Sequence, residues 1–179
     1  MSFEPLQPIV LSDEEQAAAA DFIRRMSPPG ERMAAREDVA AEMKRALESL
    51  AVLNLADRLT MEGRDEVDSI GACTSAVKAY ALYPIATNCW ECGRILAVNG
   101  RSDEARAMFE AFLRLSASEP SSPIRDVITK QHNVADLRSS AQQFLRTGVA
   151  PVYNVSQVTP DVLGLLESLD APESQETSE

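Results

Sequence analysis

The stretch Cys89–Phe112, CWECGRILAVNGRSDEARAMFEAF, decides the fold. Asn99-Gly100 is a helix stop, because glycine readily takes the backbone conformations that end a helix. Before it the pattern predicts a helix over about Ile85–Val98, and after it a second over about Asp103–Ser116 with Ser102 as its cap. Ala105, Phe109 and Phe112 fall on one face of that second helix, at the spacing i, i+4, i+7. Two helices joined by so short a turn must lie antiparallel. Outward from this stretch the arrangement recurs around a second Gly-Arg turn, Gly63-Arg64. Small residues precede the two turns by seven positions (Ala56 and Gly93), and leucines precede them by four (Leu59 and Leu96). Ala72, Ala76 and Ala79 repeat the later spacing, and the units end near Pro84 and Pro120.

The remaining elements read as helices separated by clear punctuation. Residues 1–11 hold two prolines and read as an irregular arm. Ser12-Asp13-Glu14-Glu15 is a capping box that starts a helix ending near Met26, before Ser27-Pro28-Pro29-Gly30. Glu31–Met61 is helical, with room for a break at Glu37–Ala41, and Glu66–Leu82 follows the Gly63-Arg64-Asp65 turn. Ser121-Ser122-Pro123 opens a last long helix to Thr147-Gly148. Residues 12–148 thus form one helical domain. Residues 149–170 read as an extended segment followed by a short amphipathic helix, Asp161–Leu169, and residues 171–179 as a disordered acidic tail.

Composition agrees with an all-α chain: 25 alanines, against seven glycines and eight Tyr and Phe residues. The net charge of −11 argues against nucleic acid and anionic membranes as partners. Much of that acidity lies at the two ends; residues 161–179 carry six carboxylates and no Lys or Arg. The middle of the chain is close to neutral and has no basic cluster. No apolar run is long enough to insert in a membrane. Met1–Val10 lacks the basic and apolar regions of a signal peptide, and three cysteines do not suggest a disulfide framework, so a reducing cytoplasm is expected.

On Gly93, Leu96, Gly100, Ala105 and Phe109 the unit Ile85–Glu119 resembles the tetratricopeptide repeat. A less regular unit covers Leu47–Ala81, so the resemblance spans somewhat under half the chain. It implies helix pairs that approach closely at the small residue, with the aromatic filling the gap to the next unit. It also implies that the first helix of each unit lines a concave groove. Carried onto this register, Leu53, Asp57, Met61, Trp90, Arg94 and Val98 would face that groove and hold a protein or peptide partner. More distantly, a small acidic protein with an N-terminal helix before such repeats resembles the bacterial type III secretion chaperones.

Other chemistry is sparse. Cys89 and Cys92 form a CxxC that, with Cys73 and His132, could supply four zinc ligands. Mid-helix, however, the pair shares the face turned to the neighbouring helix, where cysteine packs as a small hydrophobe. The thioredoxin-type reading needs a preceding strand. His132, the only histidine, reads as a solvated helix position. No nucleophile elbow or phosphate-binding glycine loop is present. The chain is therefore expected to be a non-enzymatic protein-interaction module or chaperone without a cofactor. The alternatives are a fixed subunit of a larger assembly and, further off, a metal or redox protein built on the cysteines. A homodimer is compatible with each.

Overall fold

The computed structural model describes residues 10–26, 37–63, 65–120, 122–130 and 132–151. Within them the chain is an all-α array of helical hairpins: α1 (Asp13–Met26), α2 (Glu37–Glu62), α3 (Glu66–Leu82), α4 (Ala86–Val98), α5 (Ser102–Ser118), α6 (Pro123–Lys130) and α7 (Val134–Thr147). The expected arm at residues 1–9, the Ser27–Gly30 stop, the extended segment, the Asp161–Leu169 helix and the acidic tail lie outside the described residues. No described helix is long and apolar enough to cross a membrane.

Local chemistry sets the boundaries. The capping box at α1 forms as its sequence requires: the Ser12 amide donates to Glu15 Oε2 at 2.8 Å, and the Glu15 amide donates to Ser12 Oγ at 3.3 Å. Asp65 caps α3 by accepting from the Asp68 amide. At the end of α4, Gly100 takes φ +78°, and the amides of Gly100 and Arg101 donate to the carbonyls of Ala97 and Leu96. These bonds satisfy carbonyls that the helix end would otherwise leave without partners.

Two boundaries differ from expectation. Ser102 is the first residue of α5 rather than its cap; Arg101 takes the cap position without a side-chain cap bond and pairs with Glu104 instead. The long helix expected from Pro123 to Gly148 is two helices. The Asn133 side chain accepts from the Asp136 amide and starts α7, and the His132 amide closes the end of α6 on the Thr129 carbonyl. Asparagine favours such a cap because its short amide competes with the helix for backbone hydrogen bonds.

α2 pairs with α3, and α4 pairs with α5; α1 packs on α2, and α7 closes over α5 and α4. The two hairpins have different cores. Ala56, Ala72, Ala76 and Ala79 are fully buried between α2 and α3 and their neighbours. Aromatic rings fill the junction of α4, α5 and α7. Trp90 and Phe109 meet edge to face at 6.3 Å, and Phe109 and Phe144 lie 4.9 Å apart. Gly93 makes room for this cluster, since a Cβ there would stand 3.1 Å from a Phe109 ring carbon.

Candidate functional site

Five of the six residues expected to line a groove divide into two sets, and the sixth, Asp57, is half-buried. Met61 (75 % exposed) and Val98 (50 %) reach solvent, whereas Leu53, Trp90 and Arg94 are buried at 5 %, 2 % and 5 %. α4 is the central helix of the array, and every residue from Ala86 to Leu96 is buried. The Trp90 indole N–H donates to Ser140 Oγ on α7 at 3.0 Å, so the ring is a core anchor rather than a contact surface. The groove expected along Leu53, Asp57, Trp90 and Arg94 is therefore closed. α7 covers the Trp90 end, where Leu137, Ala141 and Phe144 pack on α5 and α4, and Asp57 and Arg94 are engaged with each other.

Arg94 has an internal task. Its guanidinium pairs with Asp57 of α2, and its Nε donates to Glu91 Oε2 at 2.9 Å. Burial alone would lower its pKa. The charges of Glu91 and Asp57 outweigh that and hold it above the ordinary value. A buried ion set of this kind fixes how α4 sits on α2 more than it adds to stability. Two further polar knots do similar work. Asn88 donates to Ser49 Oγ and to the Tyr83 carbonyl, and Ser49 donates to the Ala79 carbonyl at 2.6 Å. Asn99 donates to Thr60 Oγ1 at 3.0 Å and accepts from Ser69 Oγ at 2.9 Å. Asn99 therefore ties together the end of α2, the start of α3 and the end of α4.

The three cysteines are free thiols, all buried. Cys89 Sγ donates to the Met108 carbonyl at 3.1 Å. Burial pushes its pKa up to about 12, partly opposed by Tyr80 and Arg114, and burial raises Cys92 and Cys73 as well. Thiols buried in apolar surroundings in this way are poor nucleophiles. No group of three or more His, Cys, Asp or Glu side chains among the described residues is arranged to hold a metal ion. His132 is a half-buried link between α6 and α7, not a solvated helix position; its Nδ1 lies 2.8 Å from the Ile128 carbonyl. Burial lowers its pKa, and the bond to that carbonyl opposes the shift.

The exposed apolar surface lies elsewhere, on α3. Val67 (74 % exposed), Ile70 (53 %) and Val77 (48 %) stand in solvent, with Thr74 and Ala81 exposed between and beyond them. These five positions recur at steps of three and four along one side of the helix, and none is charged. The opposite side carries the buried Ala72, Ala76 and Ala79. α3 thus has two apolar sides, small alanines inward and Val67, Ile70 and Val77 outward, with the polar Ser75 and Lys78 between them turned to Glu15 of α1. Because Asn99 gathers the ends of α2, α3 and α4, the exposed Met61 and Val98 flank the same end of the array as Val67. The signal was present in the sequence. The spacing of Val67, Ile70 and Val77 is as regular as that of the alanines opposite, but a single apolar face is the usual expectation for a surface helix.

Comparison of the chain with protein-family models, with curated proteins and with solved structures finds no match in any of the three.

Proposed function

We propose that this chain is a non-enzymatic protein-interaction module whose outward α3 face receives an apolar helix of a partner protein. The observation that carries the reading is the uncharged stripe Val67, Ile70, Thr74, Val77 and Ala81, exposed over the length of α3. Single exposed hydrophobes are ordinary on any protein, but three large ones aligned on one helix side with only Thr74 between them favour a contact surface. Alternating steps of three and four are the seam spacing of packed helices, which favours a helical partner over an extended peptide. The absence of charge along the row leaves recognition to shape and apolar contact. Met61 and Val98, two of the residues that the tetratricopeptide resemblance assigns to partner binding, are exposed at the helix ends that Asn99 gathers. The chaperone reading belongs here as well, with the client held on α3 rather than in a groove. The narrower assignment to type III secretion rests on the resemblance alone.

The test is a photo-reactive benzoylphenylalanine placed at Val77 of the full chain, expressed and irradiated in its native host. The expected result is one covalent adduct with a defined second protein, identified by mass spectrometry, which disappears when Ile70 is changed to Lys. An adduct only with another copy of the chain, or only with its own Asp161–Leu169 segment, would overturn the proposal, as would no adduct.

A further inference from the structure

Gly71 lies inside α3, where glycine lowers helix stability relative to alanine. Gly93 of α4 has an internal reason for its missing side chain, the Phe109 ring packed against it. Gly71 has no such reason. A Cβ there would meet a Leu59 methyl of α2 at the ordinary distance of 3.5 Å. Apart from its chain neighbours and its own helix backbone, no other described atom lies within 4 Å of that position. The gap opens instead at the margin of the exposed row. Residues i, i+3, i+4 and i+7 of a helix enclose the hole that receives one side chain of a packed helix. Val67, Ile70, Gly71 and Thr74 are such a set. Val67, Ile70 and Thr74 are exposed and form the rim, and Gly71 is half-buried at the floor beside Leu59. None of the side chains around this hole is charged.

Charge restricts the occupant and sets its direction. Glu62, Asp65 and Glu66 are exposed where α2 ends and α3 begins, and Glu66 stands one turn before Ile70. Within residues 62–66 these three carboxylates face one cation, Arg64. Two cations that flank α3 are engaged elsewhere. Lys78 pairs with Glu15, and Arg101, near enough to Cys73 to act on its thiol, pairs with Glu104. The acidic end repels the chain's own segment 161–179, which has six carboxylates and no Lys or Arg. The α3 of a second copy has only Lys78 to offer it, and that is taken. A different chain that carries Lys or Arg suits it. We infer that the α3 face receives a partner helix with one bulky apolar side chain seated over Gly71 and a Lys or Arg at the end beside Glu66. The inference rests on the reading of α3 as a contact surface, and it gives the partner its chemistry and its direction.

The test uses the full chain with benzoylphenylalanine at Val77, irradiated in extract of the native host, and adds one further change at a time. Gly71→Leu fills the hole and should lower the adduct yield about tenfold or more. Gly71→Ala adds a single carbon, favours the helix and should lower the yield about twofold to threefold. If Gly71→Leu fails to fold by circular dichroism, Gly71→Ala decides. Glu66→Lys should lower the yield about threefold at low salt and much less at about 0.5 M salt, because the charge is exposed. In the parent adduct, the cross-linked segment of the partner should carry Leu, Met or Phe about two turns from the cross-link, and Lys or Arg beyond it. An adduct whose yield is the same with Gly71→Ala and Gly71→Leu overturns the seat and leaves the α3 surface standing. A cross-linked segment without Lys or Arg, or an unchanged yield with Glu66→Lys, overturns the direction. No adduct in the parent overturns the α3 surface itself, and this inference with it.

Discussion

α3 and α5 are the second helices of the two hairpins, each 17 residues long and each preceded in sequence by a Gly-Arg pair, and they are built inside out relative to each other. α5 turns Phe109 and Phe112 inward and exposes Asp103, Glu104, Arg106, Glu110 and Arg114. α3 turns Ala72, Ala76 and Ala79 inward and exposes Val67, Ile70 and Val77. The inward difference is a matter of space: alanines let α3 lie close on α2, whereas the Phe109 ring needs the room that Gly93 leaves on α4. The outward difference is a matter of solvent. α5 meets water with charge, as a surface helix should, and α3 meets it with hydrocarbon. The same hairpin plan thus yields one helix whose outer face is charged and one whose outer face carries an uncharged, largely apolar row.

The largest expected effect is on the aromatic side of this contrast. Phe109→Ala removes the ring that touches both Trp90 and Phe144, and should cost about 3–5 kcal/mol in chemical denaturation. A loss under about 1 kcal/mol would mean that the aromatic junction is not the core of the second hairpin.

The glycines of the two hairpins should respond with opposite sign. A Cβ at Gly93 would crowd Phe109 at 3.1 Å and Met108 Cβ at 3.3 Å, so Gly93→Ala should destabilise by about 1–3 kcal/mol. At Gly71 on α3 the nearest atom is a Leu59 methyl at 3.5 Å, an ordinary contact. Gly71→Ala should therefore stabilise by about 0.5–1 kcal/mol through helix propensity. Thermal unfolding of both variants checks the pair; equal signs would contradict the packing difference.

How much of this was legible beforehand follows the same division. The hairpin around Gly100 was readable because its signals are local: the helix stop, the small residue at 93 and the aromatic spacing all lie within one short stretch. The capping box at Ser12 was readable for the same reason. What escaped depends on partners distant in sequence. Trp90 and Arg94 read as a contact surface until Ser140 and Asp57 are seen beside them. Glu119 supplies the cap of α4 from 33 residues away, and no local pattern announces that. The break at His132-Asn133 was local but ambiguous, because the apolar spacing continues across it.

Glu15 shows such a distant tie with a measurable consequence. Beyond its part in the capping box, it accepts from Ser75 Oγ at 2.8 Å and from Lys78 Nζ at 2.6 Å, fastening α1 to α3. Burial would raise its pKa, but the bonds from Lys78, Ser12 and Ser75 prevail and hold it below the ordinary 4.5. With the folded value below the unfolded one, the unfolded chain binds more protons between the two. The stability from this tie is therefore complete above the unfolded pKa and is lost as pH falls through the folded one. Hydrogen exchange of the α1 amides should accelerate on acidification through that window, ahead of those of α4 and α5. In Glu15→Gln that selective acceleration should be absent.

The smallest effect on stability belongs to the outward face of α3. Val77→Lys should change unfolding free energy by no more than about 0.5 kcal/mol, because the side chain is half exposed and touches no knot of the core. A cost well above that would mean the face contributes to the fold of the isolated chain.

The claim that α3, and not α5, meets another protein is tested most directly by thiol protection. The native cysteines are buried, so a thiol introduced by Val77→Cys or by Glu110→Cys is the reactive one in each variant. Alkylation rates are compared between the purified chain and the same chain in extract of its native host. The account predicts slowing of about tenfold or more at position 77 and none at position 110, as expected where an exposed site becomes buried against a partner. Equal rates at position 77 in the two settings, or equal protection at both positions, would contradict it.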